Sequence, residues 1–176
     1  MSTARTTVAA AALFGALVCA QQPDHAPDIH FTPTRLAVAD AMLKLAHVTA
    51  ADVVYDLGSG DGRIVMLAAQ KYGARAVGVE IDPRLVAISR QIARDGEVAD
   101  RATFIEGDLF AVDISPATVV TLYLSGTVNA RLGPKLTREL KPGTRIVSHQ
   151  FPMPDWPPEE TLVVDNEQLF MWTVKR

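Results

Sequence analysis

Between Val53 and Ile64 the chain reads VVYDLGSGDGRI, an apolar run that breaks into glycines at 58, 60 and 62 and then resumes with helical periodicity. Nothing else in the sequence restricts the fold as much. A short buried strand that ends in closely spaced glycines and re-enters as a helix is the opening unit of a parallel sheet, because glycine takes positive φ and lets backbone approach a ligand. The remainder repeats that alternation. Thr34 is expected to cap a helix over 35–47 whose apolar face is Leu36, Ala39, Leu43 and Ala46. Strands are expected at Val53–Leu57, 74–80, 102–108, 117–125 and 144–150. Between them come helices at Arg63–Tyr72, 83–94 and 128–140. The second places Leu85, Ile88 and Ile92 on one face with Pro83 in its first turn, and the third contains Pro134 as a candidate bend. After a turn at 141–143 and a proline-rich loop at 151–158, the segments 161–166 and 169–176 read as a closing hairpin. The expectation is a doubly wound α/β domain: a mostly parallel seven-stranded sheet with helices on both faces, over 31–176.

The glycine spacing selects among nucleotides. A dinucleotide fingerprint G-x-G-x-x-G counted from Gly58 and Gly60 needs glycine at 63, where Arg63 stands, and no Gly-Lys-Ser/Thr follows to make a P-loop. Both phosphate-binding readings weaken together. Asp56 puts a carboxylate before the turn, which repels pyrophosphate but suits an ammonium or sulfonium. Glu80 ends the second predicted strand, the position from which a carboxylate accepts ribose hydroxyls. Asp108 ends the third, where it can accept from an adenine amino group. Cation, ribose and adenine together describe S-adenosylmethionine. The cofactor set read here is Asp56, Gly58, Ser59, Gly60, Gly62, Glu80, Ile81, Asp108 and Leu109, with no metal.

The successive segments DLGSGDG, GVEIDP, EGDLF and ELKPGTRIVS resemble the motifs of class I, seven-strand S-adenosylmethionine-dependent methyltransferases, with their Rossmann-like fold. More narrowly, FTPT before the first helix, YDLGSGDGRI, VVTLYLS followed by Asn129, and SHQFPMPDW are similar to a small group of protein-lysine methyltransferases. That group includes archaeal enzymes of broad specificity and mitochondrial enzymes acting on ATP synthase and on the adenine nucleotide translocase. The resemblance implies methyl transfer to a lysine ε-amine of a protein substrate.

Such a transfer is an in-line displacement in which the enzyme chiefly aligns the reactants. The acceptor lysine must first lose a proton, which an apolar slot beside a sulfonium favours, so no strong general base is required. Tyr123, Asn129 and Thr34 are the candidate catalytic residues, with Ser125, His149 and Phe151 as further candidates for shaping the slot. Each has a structural alternative: Asp61 as a cap for the helix at Arg63, Tyr123 as sheet packing, His149 as a hydrogen-bonded structural residue, Trp156 and Trp172 as core or rim, and Arg131, Lys135, Arg138 and Lys141 as a solvated face. Three other functions stay open: a small-molecule methyltransferase, a cofactor-binding protein without turnover, and a dehydrogenase.

A net charge of −3 gives no basis for a nucleic-acid binder that works by neutralising phosphates, and a monomer is expected. Residues 1–20 carry Arg5 and no acid, then an unbroken small and apolar run shorter than the roughly 20 residues of a membrane span. They read as a signal or targeting peptide, with VCA as its cleavage site, and 21–30 as a linker. Export to the periplasm or medium is the expectation. The alternatives are a lipoprotein signal using Cys19, an organelle transit peptide, or a cytoplasmic enzyme with a misassigned start. Cys19 is the only cysteine. Its loss with the signal leaves no disulfide, thiol nucleophile or thiolate metal site.

Overall fold

A computed structural model describes residues 31–175, so the expected targeting peptide at 1–20 and linker at 21–30 lie outside the described residues. The strands are β1 (Val53–Leu57), β2 (Arg75–Glu80), β3 (Ala102–Glu106), β4 (Val119–Leu122), β5 (Arg145–His149), β6 (Glu160–Val164) and β7 (Glu167–Thr173). They form one sheet in the order β3-β2-β1-β4-β5-β7-β6. β1 to β5 pair in parallel, and β7 runs antiparallel between β5 and β6. The helices are α1 (Leu36–Leu45), α2 (Arg63–Tyr72), α3 (Pro83–Asp95) and α4 (Gly126–Glu139). This is the doubly wound arrangement expected from the sequence.

Side chains alternate across a strand with period two, so each central strand supplies both faces of the sheet. Val54, Val119, Val147 and Met171 pack with α1, α2 and α3. Their neighbours Tyr55, Val120, Ile146 and Trp172 pack with α4 and with Ile114 of the loop after β3. The β6–β7 connection is a two-residue turn in which Asp165 and Asn166 both take positive φ, 52° and 66°. That conformation suits the right-handed twist of a hairpin and is tolerated best by Asn, Asp and Gly. Among the described residues no helix is long and apolar enough to cross a membrane.

Three local expectations are corrected. Thr34 does not cap α1: the N-cap is Arg35, extended and without a side-chain cap bond. On α1 the expected Ala39, Leu43 and Ala46 are buried, joined by Val38 and Met42, while Leu36 is 62% exposed. On α3 the buried residues are Val86, Ser89 and Ala93, and Ile88 and Ile92 face solvent. Small residues are needed on that buried face because α3 closes against the glycine turn, where Ser89 Oγ donates to the carbonyls of Leu85 (2.9 Å) and Gly60 (3.2 Å).

The order of the sheet reverses between β1, which leads to β2, and β4, which leads to β5. At such a switch point the loops leaving the two strands diverge to opposite faces and open a cleft beyond their carboxyl ends.

Candidate active site

A cavity of about 390 Å³ occupies that cleft. Its floor is the β1–α2 turn, with Asp56, Gly58 and Ser59; one side is built by Glu80 and Ile81 after β2 and by Asp108 and Leu109 after β3. Tyr123 and Leu124 after β4 form the opposite side, and residues 31–34 lie across the entrance. The volume is that of a site for a small molecule.

Gly58, Gly60 and Gly62 all have positive φ. The N–H groups of Gly58 and Ser59 donate to the Val79 carbonyl at 2.8 and 3.0 Å, which pulls the turn against β2. Gly60 and Gly62, expected from the sequence to contact the cofactor, do not line the cavity; they shape it. A Cβ on Gly60 would lie 2.2 Å from the Phe31 ring, and one on Gly62 would lie 2.6 Å from the Phe104 ring. The missing side chains let Phe31 rest on the turn and let α2 start directly over β3.

Asp56 is buried, and the Thr121 hydroxyl donates to its Oδ1 at 2.7 Å. Burial pushes its carboxyl up to about 7; the charges of Glu80 and Asp61 push the same way, while the Thr121 bond opposes them. A cation placed here would restore the ionised form. Glu80 Oε2 accepts from Gly60 N–H (2.9 Å), and Oε1 accepts from Ile81 N–H (2.8 Å) and Asp82 N–H (2.9 Å). A carboxylate has about four lone-pair directions, so Glu80 is rigidly aimed, and a second ribose hydroxyl requires the Gly60 bond to yield. Asp108 Oδ1 accepts from Phe110 N–H at 2.8 Å, which fixes the orientation of the acid. Ser59 Oγ is buried with no hydrogen-bond partner among the described residues, a polar atom that a bound ligand would satisfy. Acids at three points, apolar Ile81 and Leu109, and the orphaned hydroxyl fit S-adenosylmethionine.

Thr34 and Tyr123 line the cavity as expected. Burial, and secondarily the charge of Glu167, raises the Tyr123 phenol, so its hydroxyl stays protonated and serves as a hydrogen-bonding group rather than a base. Asn129 is corrected: it is fully buried and is not part of this cavity's lining. Its Nδ2 donates to the Phe151 carbonyl (2.7 Å) and Ser148 Oγ (3.2 Å), holding the loop after β5. Ser125 caps α4, accepting from Val128 N–H at 3.3 Å. His149 is buried, pairs through Nε2 with Glu167, and stacks on Tyr123.

Two contributions escaped sequence reasoning. Arg63 forms an ion pair with Asp61 and donates to the Thr34 carbonyl at 2.8 Å, pinning the entrance segment to the glycine turn. The signal was present, since Arg63 stands where a dinucleotide motif has glycine. Glu167 lies at the start of β7, outside the cavity lining, and meets His149 only because β7 pairs antiparallel with β5, so no local pattern announced it.

Residues 56–160 match the ANTKMT methyltransferase domain. The chain is 46% identical over 144 residues to a protein-lysine N-methyltransferase of Saccharolobus islandicus, covering 81% of this chain and 89% of that protein. It is 37% identical over 120 residues to the adenine nucleotide translocase lysine N-methyltransferase of Mus musculus, a match that covers 68% of this chain and 52% of that protein. Among solved structures, a Salinibacter ruber protein described as an RNA methyltransferase, in complex with S-adenosyl-L-homocysteine, superposes with a TM-score of 0.80 at 52% identity. The match covers 81% of this chain and 94% of that one.

Proposed function

The chain belongs to the ANTKMT methyltransferase domain family, and from that premise we propose that it transfers the methyl group of S-adenosylmethionine to a lysine ε-amine of a protein. The observation that carries this reading is the 46% identity to a protein-lysine N-methyltransferase, which extends over 89% of that enzyme. The cofactor supplies an electrophilic methyl on a positively charged sulfur. Asp56 would pair with its cationic end, Glu80 would accept from the ribose, and Asp108 with Ile81 and Leu109 would hold the adenine. The Tyr123 hydroxyl and the residues 31–34 border the space left for the acceptor. An uncharged lysine nitrogen aimed there would attack the methyl carbon as the carbon–sulfur bond broke, the electron pair of that bond staying on sulfur.

A second reading takes RNA as acceptor, favoured by the description of the Salinibacter ruber structure. The net charge of −3 weighs against it, because RNA binding draws on phosphate neutralisation. Incubating the purified chain with methyl-labelled S-adenosylmethionine and a cell extract separates the two. Label that survives nuclease, is lost with protease and maps to methyl-lysine by mass spectrometry supports the protein reading; nuclease-sensitive label overturns it. We propose also that the chain acts as a monomer and, from the small and apolar run that follows Arg5, that residues 1–20 are a targeting peptide. Sedimentation tests the first, and N-terminal sequencing of the mature protein tests the second.

A further inference from the structure

Tyr123 does not stand alone at the edge of the cavity. Its ring lies over the His149 imidazole, with centroids 3.9 Å apart and planes at 35°. His149 is 1% exposed and bonds through Nε2 to Glu167 Oε2. The other Glu167 oxygen, Oε1, accepts from Arg35 Nε (2.9 Å) and Nη2 (2.7 Å). Arg35 directly follows Thr34, so the chain of contacts runs from the entrance segment to the Tyr123 ring.

The backbone beneath His149 is already fixed. Gln150 holds a positive φ of 65°, with its N–H bonded to the Gln168 carbonyl at 2.8 Å. Phe151 N–H donates to the His149 carbonyl at 2.8 Å, and the Phe151 carbonyl accepts from Ser148 Oγ (2.6 Å) and Asn129. With that much pinned, the freedom left to His149 is rotation of its ring. Glu167 is the group that sets it, since among the described residues the Nε2–Glu167 contact is the ring's one hydrogen bond and Nδ1 is buried without a partner. Any such turn displaces the stacked Tyr123.

We propose that Glu167 is a positioning residue for methyl transfer, fixing Tyr123 through the His149 imidazole and tying it through Arg35 to the entrance segment. Asn129 serves the same end by locking the loop after β5. The proposal rests on the reading of Tyr123 as the hydroxyl facing the acceptor. Misplacing a reactant-aligning group lowers turnover more than it lowers cofactor binding.

The test compares wild type with Glu167→Ala and Glu167→Gln, the second of which keeps an oxygen able to accept from the imidazole. It reads kcat, KM for S-adenosylmethionine, and the ring signals of ¹³C-labelled tyrosine, of which the chain has 3. Glu167→Ala is expected to lower kcat by about tenfold or more with KM little changed, and to move the Tyr123 signals while leaving Tyr55 and Tyr72 in place. Glu167→Gln is expected to restore both. Unmoved Tyr123 signals, or a loss spread equally over KM and all three tyrosines, overturn the proposal. If Glu167→Ala does not fold, Glu167→Met keeps the bulk without an acceptor and takes its place. A wild-type chain that methylates no protein overturns the acceptor reading instead, and the tyrosine signals still decide the positioning.

Discussion

At the scale of single residues the cavity depends on groups kept away from their ordinary states. Asp56 titrates near 7 because its carboxyl is buried at the floor, where water cannot stabilise the charge. The folded chain therefore holds this proton to higher pH than the unfolded chain, whose aspartate titrates at about 4. Over that interval the folded state binds more protons, so stability falls as pH rises from about 4 to about 7 and is level above. Asp56→Asn removes the dependence. The melting temperature of the variant relative to wild type should climb through that window, as a pH series of thermal scans would read. A cationic ligand favours the ionised acid, so S-adenosylmethionine should bind more tightly as pH approaches 7 and should release a proton on binding below it. Calorimetry in buffers of different ionisation enthalpy measures that proton, and a pH-independent affinity would count against the pairing. Gly60 makes a different demand: at φ +56°, with the Phe31 ring 2.2 Å from a notional Cβ, Gly60→Ala is strained and displaces the ring. The backbone strain alone is about 1–2 kcal/mol. A melting temperature lower by about 4 °C, with weaker S-adenosylhomocysteine binding, is expected.

At the scale of elements, the site is held by helix and strand ends rather than by helix interiors. α4 illustrates the difference. Gly133 lies in its interior, where an added Cβ meets nothing within 4 Å apart from its chain neighbours, but it precedes Pro134, whose Cδ crowds a Cβ on a helical residue before it. Gly133→Ala should therefore gain less than the about 0.5–1 kcal/mol of an ordinary interior glycine and leave methyl transfer unchanged, in contrast to Gly60→Ala in the turn. Thermal melting with a parallel activity assay checks this, and a lower melting temperature would show that the position is not open. The helix faces also show where sequence periodicity stops being sufficient. Leu36 on α1, and Ile88 and Ile92 on α3, fit an apolar stripe in sequence yet face solvent. α3 turns Ser89 and Ala93 inward because the glycine turn approaches too closely for an isoleucine. Periodicity says that a helix has an apolar side; the neighbouring element decides which side is buried.

At the scale of the whole molecule, the sheet order places all three acids and Tyr123 around one cleft, so ligand binding should be felt globally. At a hundredfold excess over its dissociation constant, S-adenosylhomocysteine should add about 2.7 kcal/mol to stability, while NAD should add nothing. A thermal shift with both ligands tests this, and stabilisation by NAD would revive the dehydrogenase reading. The sequence by itself determined the strand and turn chemistry. Short continuous apolar runs, glycines at the positive-φ positions and acids at strand ends are local steric and polar requirements, written within a few residues of where they act. The three acids that line the cavity were legible for that reason. Tertiary structure alone decided the partners of those pieces. It turned Asn129 away from the cavity toward the loop after β5, brought Glu167 across 18 residues of chain to His149, and set Arg63 against the Thr34 carbonyl. Such contacts join segments that meet only when the sheet is assembled, and long-range pairing leaves no periodic trace in the sequence of either segment.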